Sequence, residues 1–194
     1  MGTWFEELDR ASDYLCQDLD RDAFVPLLEA DLVAYLYHHF VLAKVPLKDI
    51  HLDTRIIGIE KLKYDLVIGP VELDLPKEQR AAVSDPQLVI QIKFFPRRGF
   101  THQQYHVHYK HVIEGDIASF KPLRKIFPSC QCFELLGDFH RSRDLLGYLQ
   151  GRDKSAQSTK IERIRAVAAE AGVSVGWLHP ENPNKTRAKW WLSK

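Results

Sequence analysis

Leu88-Val89-Ile90-Gln91-Ile92-Lys93-Phe94-Phe95 is an unbroken run of strand-forming residues whose only polar members are Gln91 and Lys93. Side chains alternate across a strand, so these two project to one face, in a row with Val89 and Phe95. An amide and an ammonium on an otherwise apolar face are costly unless something hydrogen-bonds or coordinates them. Upstream, Tyr64-Asp65-Leu66-Val67-Ile68-Gly69 is a second apolar run with a carboxylate near its start. Before it lies a helical stretch carrying Glu29. Glu29, Asp65, Gln91 and Lys93 are therefore the candidate site residues.

The chain has 194 residues, enough for one well-cored domain or a core with a short appendage. Its 45% hydrophobic and 27% charged content is that of an ordinary globular protein. No run of about 18 apolar residues is present to span a membrane. Residues 1–7 are acidic where a secretory signal is basic and then apolar, so a cytoplasmic protein is expected. Cys16 stands alone, and Cys130 and Cys132 lie in an apolar run. This pattern suits buried structural thiols rather than a disulfide framework or a zinc site. The net charge of +1 hides an asymmetry: residues 1–80 hold 9 basic and 16 acidic side chains, leaving 18 and 10 for the rest. A basic C-terminal half could follow a phosphate backbone while the acidic half holds metal; a solvated surface of uneven composition explains the counts equally well.

Working outward from the strand, residues 1–21 have Trp4, Phe5, Leu8, Ala11 and Leu15 at helical spacing. Asp22 then reads as a cap with Pro26 in the first turn of a helix running to about residue 43. On that helix Glu29 borders the stripe of Leu28, Leu32, Tyr35, Leu36 and His39, aligned with Val33, and can look across at a sheet. Strands are expected at about 51–59, 63–70 and 87–95, the first two an antiparallel hairpin turning at Glu60 and Lys61. Residues 70–86 suit either a long loop with a helical turn at 77–83, of the kind that often carries function, or a disordered insert. Periodicity at 101–113 is ambiguous and only the order of the elements favours a helix there; a helix is expected at 115–126, and a buried strand, parallel to its neighbour, at 130–136. Beyond it come a helix at 142–150, a polar linker at 151–158, an amphipathic helix at 159–171 ended by Gly172, and a last strand at 173–178. Lys185, Arg187 and Lys189 beside Trp190 and Trp191 would either stack on bases or pack the last elements. His102, His106, His108 and His111 lack a carboxylate or thiolate at ligand spacing and read first as a polar helix face, with phosphate contact and metal binding as alternatives.

A helix with an acidic residue, a strand with Asp, and a next strand ending in a polar residue, any residue and Lys together resemble the PD-(D/E)XK nuclease superfamily. The resemblance covers about residues 22–137. Gln91-Ile92-Lys93 departs from the usual acidic residue in the way Mrr-like restriction enzymes do. It implies an α/β fold with a restriction-endonuclease-like core, a mixed central sheet flanked by helices, in one domain of 1–194 with a C-terminal helix-strand extension at about 138–194. It also implies hydrolysis of phosphodiester bonds, with DNA as the expected substrate and Mg2+ or Mn2+ as cofactor. Asp65, the side-chain oxygen of Gln91, the main-chain carbonyl of Ile92, and Glu29 would hold the ion, while Lys93 would orient the attacking water.

Arg97, Arg98, Lys121, Arg124 and Lys125 flank this site in sequence and are candidates for gripping phosphates. Cleavage of both strands of a duplex would favour a homodimer. The competing class is a catalytically inactive module of the same fold that binds nucleic acid or a protein partner. No glycine-rich phosphate loop or nucleophile elbow supports a small-molecule enzyme.

Overall fold

The computed structural model describes residues 4–59, 62–72, 82–95, 102–138, 154–182 and 185–191. Helices α1 (Trp4–Asp20) and α2 (Glu29–Leu42) precede strands β1 (Ile50–Thr54), β2 (Tyr64–Ile68), β3 (Val71–Glu72), β4 (Ala82–Val83) and β5 (Leu88–Phe95). Helix α3 (His102–His111) runs through a π-helical segment, Val112–Ile117, into α4 (Ala118–Ile126). Strand β6 (Gln131–Asp138), helix α5 (Lys154–Ala171), and strands β7 (Ser174–Asn182) and β8 (Lys185–Trp191) follow.

Among the described residues six strands form one mixed sheet in the order β1-β2-β5-β6-β7-β8. β5, β6 and β7 are parallel neighbours, while β1, β2 and β8 join by antiparallel pairing. Helices flank both faces, so the fold is α/β as expected, and β7 and β8 extend the core sheet. Leu66, Ile90, Ile92 and Leu135 pack against α1 and α2. Val67, Val89, Cys132 and Leu136 pack against α3, the π segment, α4 and α5. Such two-sided burial explains the continuous apolar runs in β2, β5 and β6. Each fully buried Leu or Ile contributes about 1.5–3 kcal/mol. No helix among the described residues is long and apolar enough to cross a membrane.

Several boundaries differ from the sequence reading. The second helix starts at Glu29, not Asp22, and residues 24–27 carry no helical turn. Pro26 disfavours helical backbone at Val25; the N-cap is Leu28, and Asp31 in the first turn reaches back, its Oδ2 accepting the Leu27 and Leu28 N–H groups at 2.7 and 2.9 Å. Those two N–H groups hold the Asp31 carboxyl below its ordinary range. Within the expected turn at 77–83, Ala82 and Val83 instead form a strand paired with Val71 and Glu72; the remainder lies outside the described residues. Glu60, Lys61, and the helix expected at 142–150 also lie outside them.

Downstream, α5 begins at Lys154, within the expected linker, since Lys, Ala and Gln all favour helix. Gly172 does end it, in the left-handed region at φ 68°, with Val173 N–H bonding the Ala168 carbonyl at 2.9 Å. The basic-aromatic tail forms strand β8, consistent with the strand preference of Thr and Trp. The two helices expected at 101–113 and 115–126 are one continuous helical stretch, widened in the middle.

Candidate active site

β2 and β5 pair only through Leu66–Ile90, Val67–Val89 and Ile68–Leu88. Past Ile90, side chains replace the strand ladder. Asp65 Oδ2 accepts the Ile92 N–H at 2.6 Å, and Glu29 Oε2 accepts the Phe94 N–H at 3.1 Å. These donors are two residues apart and so lie on one edge of β5; the Ile92 carbonyl leaves the strand on that same edge. Asp65 shares its alternation with Val67, and Gln91 and Lys93 share theirs with Val89, both valines belonging to one core. The carboxylate of Asp65 and the polar groups of Gln91 and Lys93 therefore belong to the same side of the sheet. Glu29 reaches them as the first residue of α2, a placement that follows from Leu28 being the N-cap, its N–H held by Asp31.

The Lys93 ammonium lies 3.6 Å from Glu29 Oε2 and 3.7 Å from Asp116 Oδ2. Burial would lower its pKa, but Asp116, Glu29, Glu134 and Asp65 outweigh burial and hold it above the ordinary lysine value. Burial pushes Asp65 up to about 6, against the pull of the Ile92 N–H, with Glu29 adding to the rise and Lys93 opposing it. Asp116 is also raised, by burial first, with Lys93 opposing. The arrangement thus joins a fixed ammonium to several carboxylates whose charges are mutually costly.

Two members were missed by sequence reasoning. Glu134 on β6 stands directly opposite Gln91 in register and is completely buried. Burial drives its pKa well above the usual carboxylate range, and Asp116 adds to the rise. It was legible as the lone charged residue within 130–136, the same signal that singled out Gln91 and Lys93. Asp116 carries no comparable signal: in Glu114-Gly115-Asp116 it reads as a solvated helix position. The π-helical segment brings it to Lys93, and such wide turns recur at functional sites.

The other candidates are placed as follows. His108 on α3 is half-buried and its pKa is lowered, by burial first and then by Lys93 and His111. His106 and His111 are exposed, while Tyr105 and Tyr109 of the same helix enter the core. Arg124 donates to the Pro128 and Cys130 carbonyls, at the start of β6. There Gln131 is level with Leu88, five residues before Lys93 on β5. Lys121 pairs with Glu170 of α5 at 2.6 Å, and Lys125 is exposed. Arg97 and Arg98 lie outside the described residues. A hollow of ≈ 730 Å³, lined by Trp4, Lys44, Gly69, Gln87 and Gln131 among others, also lies at the Leu88 end of the sheet, away from Lys93.

Oxygen donors predominate around Lys93, the set preferred by hard divalent cations. Asp65 and Glu29 each bond the strand backbone through one oxygen, Oδ2 and Oε2. Among the described residues no three Asp, Glu, His or Cys side chains gather at ligand distance around one point. Mg2+ does not require that, since it commonly keeps several waters and takes one or two carboxylates.

No family model matches the chain, and no curated protein matches it. Among solved structures, one described as Pyrococcus furiosus SfsA in complex with Ca2+ aligns at 13% identity and a TM-score of 0.31, over 84% of this chain. The chain spans 62% of the length of that one.

Proposed function

We propose that the chain is a metal-dependent nuclease of the PD-(D/E)XK superfamily, hydrolysing phosphodiester bonds in DNA with Mg2+ or Mn2+. The supporting observation is the β5 edge, where Asp65 and Glu29 bond alternate N–H groups on either side of Lys93. Asp65, Gln91 through Oε1, the Ile92 carbonyl and Glu29 are the groups that would hold the ion. When bound, a divalent cation neutralises charge on the phosphate and acidifies a water. Lys93 orients that water and faces the charge developing in the transition state, its position fixed by Glu29 and Asp116. Arg97, Arg98 and Lys125 are the basic groups assigned to the phosphate backbone, with smaller shares for Lys121 and Arg124, which already have protein partners. Cutting both strands of a duplex would favour a homodimer.

The second reading is a catalytically inactive module of this fold that binds nucleic acid or a protein. It is favoured by Gln91 standing where the superfamily has an acid, and by Lys93 already pairing with two carboxylates.

Incubation of the parent, Asp65→Asn and Lys93→Met with plasmid, single-stranded DNA and RNA in Mg2+, Mn2+ and Ca2+ separates the readings. Cleavage by the parent that is lost in both variants supports the nuclease. Salt-sensitive binding without cleavage supports the module. Cleavage by either variant at the parental rate ends the assignment.

A further inference from the structure

We infer that Glu134 and Asp116 supply the carboxylates that Gln91 lacks, and that together with Gln91 Oε1 they ligate a hard divalent cation beside Lys93. The inference rests on the nuclease reading above and adds two ligands to it. Glu134 faces the site by register: it is paired with Gln91 across the parallel β5–β6 ladder and shares its face with Cys132 and Leu136, on the side that packs α3 to α5.

Glu134 is fully buried, and among the described residues neither of its oxygens meets a hydrogen-bond donor. The same holds for Gln91 Oε1, while Asp116 Oδ2, also buried, has the Lys93 ammonium 3.7 Å away. Folded proteins rarely leave such acceptors bare, because each has given up water without replacement. Several of them in one patch, contributed by β5, β6 and the π segment, call for a shared positive partner.

Charge points the same way. Glu29, Asp65, Asp116 and Glu134 all act on the Lys93 ammonium. Were all four carboxyls ionised they would exceed the one ammonium by a formal three negative charges, which a divalent cation would reduce to one; without a cation, burial favours the protonated form of Glu134. The donors are carboxylate and amide oxygens, which select Mg2+, Mn2+ or Ca2+ over zinc or copper. A sequence that keeps an unpaired acid in its core sacrifices stability there, a pattern expected when the acid serves a ligand.

The test is Mn2+ binding by calorimetry and electron paramagnetic resonance, with thermal unfolding of the metal-free and Mn2+-loaded protein, for the parent, Glu134→Gln, Glu134→Leu and Asp65→Asn. Glu134→Gln is expected to weaken Mn2+ binding by roughly tenfold or more while unfolding no earlier than the metal-free parent. Glu134→Leu is expected to raise the metal-free midpoint and to abolish the Mn2+-induced rise. If Glu134→Gln binds Mn2+ as tightly as the parent, Glu134 is a protonated structural acid and the inference is overturned, while the nuclease reading stands on Asp65. If Glu134→Leu melts below the parent and keeps its Mn2+ response, the inference is likewise overturned. A parent that binds no Mn2+ removes both this inference and the metal-dependent reading beneath it.

Discussion

Ile92 donates its N–H to the carboxylate of Asp65 at 2.6 Å, where a ladder bond from β2 would run if the two strands continued to pair. Replacing a main-chain acceptor by a side-chain one opens the sheet without leaving the backbone donor bare. The opening admits Glu29 from the helix on one face and faces Asp116 from the other.

The opening has a pH signature. Asp65 titrates near 6 when folded against 3.8 for its ordinary value. A raised folded pKa means the fold prefers the protonated form, so this contribution to stability is full below 3.8 and disappears as pH rises through 6. The difference corresponds to about 3 kcal/mol at most. Asp65→Asn, which stays neutral and keeps an oxygen for Ile92, is expected to melt above the metal-free parent at pH 7.5 and with it at pH 4. Thermal unfolding across that range is the measurement.

Lys93→Met is expected to lower cleavage by about 10²–10³-fold, the usual effect of removing one group that meets developing charge. It also strips the compensating ammonium from Glu29 and Asp116. Stability at pH 8 should therefore fall, and recover part-way at pH 5 as Asp116, whose carboxyl pKa burial raises, takes up a proton. Single-turnover cleavage and melting at the two pH values check both statements.

Arg124→Ala should act on the fold. Its guanidinium bonds the Pro128 and Cys130 carbonyls and lies against Gly172. Loss of these charge-assisted bonds is expected to cost about 1.5–3 kcal/mol. Because those contacts engage it away from Lys93, the salt dependence of DNA binding should fall less in this variant than in Lys125→Ala. Denaturant unfolding and binding titrations at several salt concentrations read the two effects.

Gly69→Ala should destabilise the chain by about 1–3 kcal/mol and leave cation binding intact. A Cβ there would collide with the Asp85 carbonyl and stand 3.0 Å from Pro86 Cα. Both are main-chain atoms that cannot swing away. Chemical denaturation with a Mn2+ titration at low denaturant separates the two.

The sequence by itself determined the strands and their faces. Period-two alternation assigned Gln91 and Lys93 to one side, because side-chain direction in a strand is a local property of the backbone; Asp65 shares that side through the β2–β5 register. Local chemistry also fixed the end of α5 at Gly172, though not the start of α2, where the cap competed with Pro26. What only the tertiary structure decided is which acids meet Lys93. Glu134 becomes Gln91's neighbour through strand register across β5 and β6, and Asp116 turns inward through a wide helical turn. Register and helix phase come from packing between elements distant in the chain, and no short stretch of sequence encodes them.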